Sequence, residues 1–119
     1  MVESTVTDES AEGADACCVP LADVDSEALA ADLQLLTAMG NDTRYELLRL
    51  IANADDGVCV CDLEEAVGVS QSAVSQALSR LYTAELVTRR KEGSWRYYEP
   101  TEMATALLET LDDLRGTNE

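Results

Sequence analysis

The sequence predicts a mainly α-helical domain carrying one small β-hairpin, and three observations lead there. Apolar residues recur at helical spacing in several segments, a tight Gly68-Val69-Ser70 turn separates two of them, and strand-forming residues flank Glu92-Gly93-Ser94. With 119 residues and 46% hydrophobic content the chain suffices for one domain with a modest core, provided its ends pair with something.

Residues 1–16 are rich in Ser, Thr, Asp, Glu and small side chains without an apolar period, so a disordered acidic tail is expected there and one folded unit over 17–119. Ser26, a good N-cap followed by Glu27, opens a first helix in which Leu29, Leu33 and Leu36 recur until Met39 and Gly40. Asn41 and Asp42 cap a second helix, with Leu47, Leu48 and Ile51 inward and Arg44 outward, and Asp55, Asp56 and Gly57 stop it. The short apolar piece Val58 to Val60 precedes a helical segment from Asp62 to Val67, too short to stand alone; the turn follows, then a helix from Gln71 to about Ala84. This is helix-turn-helix punctuation.

Leu86 to Lys91 and Trp95 to Glu99 read as the strands of a hairpin, a wing placed directly after the second helix of that pair. Pro100 ends it, and Thr101 caps a last helix whose Met103, Leu107, Leu111 and Leu114 form a stripe that wants a partner surface. The fold expected is therefore a winged helix-turn-helix, and the apolar stripes on its first and last helices predict a homodimer.

No apolar run approaches 18 residues, and the chain opens with Glu3, Asp8 and Glu9 where a secretory signal carries positive charge, so a cytoplasmic protein with no membrane partner is expected. The net charge of -16 looks hostile to nucleic acid, because sequence-independent affinity comes from cations that neutralise phosphates. Its distribution matters more. Residues 1–67 hold 16 acids against Arg44 and Arg49, whereas residues 68–98 hold Arg80, Arg89, Arg90, Lys91 and Arg96 against only Glu85 and Glu92, a local balance of +3. One face is thus able to dock on double-stranded DNA, while the strongly acidic remainder, with a single lysine, resembles the surfaces of proteins from salt-loving organisms, whose carboxylates hold water at high ionic strength. There is no histidine, no Gly-rich phosphate loop and no nucleophile with an evident base, which argues against an enzyme.

At 100° per residue the Gln71 helix puts Val74, Ala77, Leu78 and Leu81 on one side and Ser72, Ser75, Gln76, Ser79 and Thr83 on the other. Gln71, Ser72, Ser75, Gln76 and Ser79 donate and accept hydrogen bonds at base edges, with Gln76 the leading candidate for direct contact. Ser70 and Ser72, at the helix start, suit phosphate positioning. Arg89, Arg90, Lys91 and Arg96 on the wing add backbone or minor-groove contacts. The bland alternative is a merely solvated helix face; the basic hairpin beside it tips the balance.

Four segments, Leu36-Thr-Ala-Met-Gly-Asn-Asp-Thr-Arg44, Val58-Cys-Val-Cys-Asp-Leu63, Val69-Ser-Gln-Ser-Ala-Val-Ser75 and Glu92-Gly-Ser-Trp-Arg-Tyr-Tyr98, together resemble the successive hallmarks of the ArsR/SmtB metal-sensing repressors. The similarity runs from about Leu29 to Leu114. It implies a winged-helix homodimer with the first and last helices at the interface, operator binding that needs no cofactor, and release when a metal ion is captured. It also implies a thiolate site in the Cys-Val-Cys-Asp-Leu segment.

Thiolates are soft ligands, so Cys59 and Cys61 favour arsenite, antimonite, cadmium, lead or cuprous copper over hard ions. Two are too few for a tight site, and Cys17 and Cys18 are the only other thiols. This resembles the cadmium- and lead-sensing branch of the family, although the adjacent Cys17-Cys18 spacing departs from that branch's wider one. Arsenite takes three sulfurs and cadmium prefers four; four cysteines permit either. A second family site, built from His, Asp and Glu at the dimer helices, is rejected for want of any histidine. Two other readings stay open: Cys59 and Cys61 as small buried hydrophobes, and a thiol redox switch closing a disulfide between tail and helix.

Overall fold

The computed structural model describes residues 18–54 and 56–116. The expected acidic tail over 1–16 lies outside the described residues, as does Cys17. In chain order the elements are α1 (Ser26–Met39), α2 (Asp42–Asn53), β1 (Val58–Cys59), α3 (Val60–Val67), α4 (Gln71–Thr83), β2 (Val87–Glu92), β3 (Trp95–Pro100) and α5 (Glu102–Leu114). This is a mainly α winged helix-turn-helix. Among the described residues no helix is long and apolar enough to cross a membrane.

Leu47, Leu48 and Ile51 of α2, Leu63 of α3, and Val74, Leu78 and Leu81 of α4 are all within 1% of full burial and meet Leu86, Val87 and Tyr98 from the wing's base. Ala104 and Leu108 bring the inner side of α5 onto the same core. Caps set the element boundaries. The Asn41 side chain accepts from Arg44 N at 3.0 Å, Ser70 from Ala73 N at 3.1 Å and Thr101 from Ala104 N at 3.1 Å, each satisfying a first-turn N–H that has no partner inside its helix.

Four expectations shift. Helix α1 takes Asp25 as its N-cap, with Ser26 already helical, and Asp25 makes no side-chain capping bond. Arg44 does not simply point outward: its guanidinium donates to the carbonyl oxygens of Ala38 at 2.7 Å and Thr37 at 3.1 Å, closing the C-terminal end of α1. The apolar piece Val58–Val60 splits, Val58 and Cys59 forming a strand while Val60 begins α3. The hairpin accordingly becomes a three-stranded antiparallel sheet in the order β1-β3-β2, with Val58 opposite Tyr98 and Cys59 opposite Tyr97. Two residues that match the edge of a nearby hairpin gain ladder hydrogen bonds there, a tertiary effect that local periodicity does not carry.

Between α4 and β2 the chain reverses through Glu85, whose φ of +64° is left-handed. Leu86 N donates to Leu81 O at 3.0 Å and Glu85 N to Tyr82 O at 3.0 Å, a Schellman closure in which buried Leu86 packs against the same core as Leu81.

Candidate nucleic-acid interface and thiol pair

Helix α4 buries Val74, Ala77, Leu78 and Leu81 and leaves Gln71, Ser72, Ser75, Gln76 and Ser79 exposed, so the expected reading row is one open face. Ser70 is exposed at its start, its oxygen committed to the cap while the hydroxyl hydrogen stays available.

The wing sorts its four cations by strand alternation. Pairing Lys91 with Arg96 and Arg89 with Tyr98 puts Arg89, Lys91 and Arg96 on one face of the sheet. Arg90, paired with Tyr97, shares the other face with Glu92, Trp95 and Glu99. Arg90 is bound to Glu92 at 2.9 Å and to Glu99, and its guanidinium carbon lies 5.2 Å from the Tyr97 ring centre. Arg89 stacks over the Tyr82 ring at 3.9 Å, tying the wing to α4. Lys91 and Arg96 form no ion pair among the described residues. The four cations were expected to act alike; the period of two within each strand is the signal that separates them.

The two central cysteines are neighbours at the β1–α3 junction. Cys59 is buried as the last residue of β1 and N-cap of α3, Cys61 is exposed in the first helical turn, and their sulfurs stand 2.8 Å apart. The hydrogen bond to Cys59 raises the Cys61 thiol above its ordinary range, because a thiol that shares its hydrogen with a neighbour loses a partner on ionising. Cys18 is exposed eight residues before α1. Among the described residues no three potential metal ligands cluster, so a site with more than two thiols needs the segment around Cys17 and Cys18, from the same protomer or its partner, to come to the pair.

Three side chains escaped the sequence reading: Arg44 as a helix-closing group, Tyr82 as the seat of Arg89, and Arg49, which bridges α2 to α5 through Asp112 at 3.0 Å. Their roles depend on residues distant in the chain, which composition and spacing do not pair.

Comparison with known proteins agrees with this arrangement. A model of the bacterial regulatory protein, arsR family, matches residues 41–89, the stretch from the cap of α2 into β2. A putative arsenical resistance operon repressor, ArsR2, of Halobacterium salinarum is 75% identical over 119 residues, covering all of both chains. The chain belongs to the ArsR family. As an ArsR-family protein it is a DNA-binding transcriptional regulator and not an enzyme. Among solved structures, NolR from Sinorhizobium fredii superposes with a TM-score of 0.72 at 30% identity, over 83% of this chain and 98% of that one. A homodimeric winged helix-turn-helix DNA-binding domain from Mycobacterium bovis shares the ArsR fold with a TM-score of 0.71 at 22% identity, over 85% and 93% of the two chains.

Proposed function

We propose that this ArsR-family protein is a homodimeric repressor of an arsenic-response operon, released from its operator when Cys59, Cys61 and a tail thiol capture arsenite or antimonite. The observation that carries this reading is the paired thiols at the β1–α3 junction, where one strand feeds the wing's sheet and one helix packs on the reading helix. The 75% identical relative bears the name of an arsenical resistance operon repressor, which supports the choice of ion.

The raised Cys61 thiol weighs toward arsenous acid over cadmium or lead. Arsenous acid exchanges its three hydroxyls for three thiols and releases three waters, so each thiol proton leaves on oxygen and no prior ionisation is required. A divalent cation must instead displace protons from the thiols. A raised Cys61 thiol therefore adds to the cost of the proton that a cation must set free, a cost the arsenical avoids because its hydroxyls carry the thiol hydrogens away as water. Cadmium and lead become the secondary inducers.

DNA contacts are assigned to the expected residues with a graded weight. Gln71, Ser75, Gln76 and Ser79 read bases; Ser70 and Ser72 position a phosphate; Lys91 and Arg96, with Arg89 against Tyr82, supply wing contacts. Arg90 contributes less, its charge being already met by Glu92 and Glu99. Capture at the thiols reaches these groups by two physical links. Cys59 pairs with Tyr97, whose ring holds Arg90, and Leu63 of α3 packs in the core with Val74 of α4. Metal binding and DNA binding then oppose one another reciprocally, with coupling of about 1–3 kcal/mol.

The test is a titration of protein bound to a duplex selected from a randomised pool, with arsenite, antimonite, cadmium and lead in turn, in excess reductant. Release by arsenite without net proton uptake or release, and by cadmium only with proton release, is the expected result. Release caused by oxidant alone, and by none of the ions, would establish the redox switch instead.

A further inference from the structure

We propose that Arg80 is a backbone anchor for bound DNA, set beside the base-reading row and separate from the wing; this rests on α4 being the reading helix. Arg80 is the one charged residue of α4, and it is exposed. It lies four residues beyond Gln76, about 6 Å further along the axis and some 40° around it, so both belong to one open face. A groove runs from Ser75 and Gln76 past Ser79 to Arg80. A second groove, between the start of α2 and the middle of α4, sets Arg80 and Gln76 against Asn41 and Thr43. Arg80 lines both.

The surroundings set it apart from the other arginines nearby. Arg44 is spent on the carbonyls that end α1, and Arg90 on two carboxylates. Arg80 makes no side-chain hydrogen bond or ion pair among the described residues, and the side chains lining the first groove beside it are neutral hydroxyls and an amide. In a chain of net charge -16, a guanidinium kept clear of carboxylates on the reading face is matched to an anion from outside. The position selects a phosphate over a base. The N-terminal part of a reading helix enters the groove, and residues one or more turns later rise toward the strand that borders it. Arginine meets phosphate in a two-pronged geometry that lysine does not reproduce. The anchor fixes how deeply and at what angle Gln76 sits, without reading sequence itself.

The experiment measures binding of the full-length dimer to a pool-selected duplex and to an unrelated duplex of equal length, across a KCl series, for wild type, Arg80→Gln, Arg80→Lys and Gln76→Ala. For Arg80→Gln the anchor predicts weaker binding to both duplexes, an unchanged ratio between them, and a log–log salt slope reduced by about 1. Arg80→Lys should recover the slope and only part of the affinity. An unchanged slope in Arg80→Gln while Gln76→Ala loses discrimination would overturn the anchor alone; no effect of either variant would overturn the reading helix itself. Loss of the selected-to-unrelated ratio in Arg80→Gln would make Arg80 a base reader and overturn the anchor. Because Arg80 also borders a groove with Leu33 and Thr37 of α1, sedimentation is run in parallel, and a monomeric Arg80→Gln would assign it to the subunit interface, against the proposal.

Discussion

Cys59 and Cys61 illustrate how a two-residue spacing acquires chemistry only through its place in the fold. The spacing marked them as a soft-ligand pair, but their unequal burial arises because the chain changes from strand to helix between them. The raised Cys61 thiol gives a direct prediction. In a Cys17→Ser/Cys18→Ser background, alkylation of Cys61 should follow a pH profile whose midpoint lies above the ordinary thiol value of about 8.5, since only the thiolate reacts. Cys59→Ala should move that midpoint down, as it removes the hydrogen-bond partner that is the largest cause of the shift; an unmoved midpoint would contradict the shared hydrogen. The wing cations yield a second residue-scale expectation. Lys91→Ala and Arg96→Ala should each reduce the salt slope of DNA binding by about 1, while Arg90→Ala should change it much less, because its charge is already paired. Anisotropy titrations over a salt series decide this.

The helices were legible from the sequence because their apolar residues recur at helical spacing, and Asn41 and Thr101 cap α2 and α5 as expected; Ser70, read only as a phosphate-positioning group, also caps α4, while α1 and α3 start without a side-chain cap. Strand β1 was not legible, since two residues have no period and its pairing with β3 is settled some 40 residues away. The Schellman turn at Glu85 was hidden too, because the usual glycine is absent. Glu85→Gly should therefore stabilise the fold by about 0.5 kcal/mol, the relief of a left-handed non-glycine residue less the extra unfolded-state freedom of glycine. Chemical denaturation reads this, and a destabilised variant would contradict the account of the turn. The pairing of Cys59 with Tyr97 leads to a separate test. Tyr97→Ala should keep arsenite binding and most DNA affinity yet lower the release factor, if the β1–β3 ladder transmits capture to the wing. Equal release in wild type and variant would place transmission through α3 and α4.

For the molecule as a whole, Leu29, Leu33 and Leu36 of α1 and Met103 and Leu114 of α5 remain exposed although α2, α3 and α4 fill the core, which is the pattern expected of helices that meet a second copy. Leu33→Glu should yield monomer or aggregate by ultracentrifugation, and an unchanged dimer would exclude this seam. The folded domain and the open face of α4 could be foreseen because they obey local periodicities, whereas the proposed completion of the thiol site could not, because the further donors it calls for would come from a segment whose approach no spacing specifies. Whether the junction thiols release DNA is decided by operator-type binding of wild type, Cys59→Ser and Cys61→Ser with and without arsenite in excess reductant. All three should bind the selected duplex comparably, and arsenite should release only the wild type. Full release of Cys59→Ser by arsenite would contradict that role.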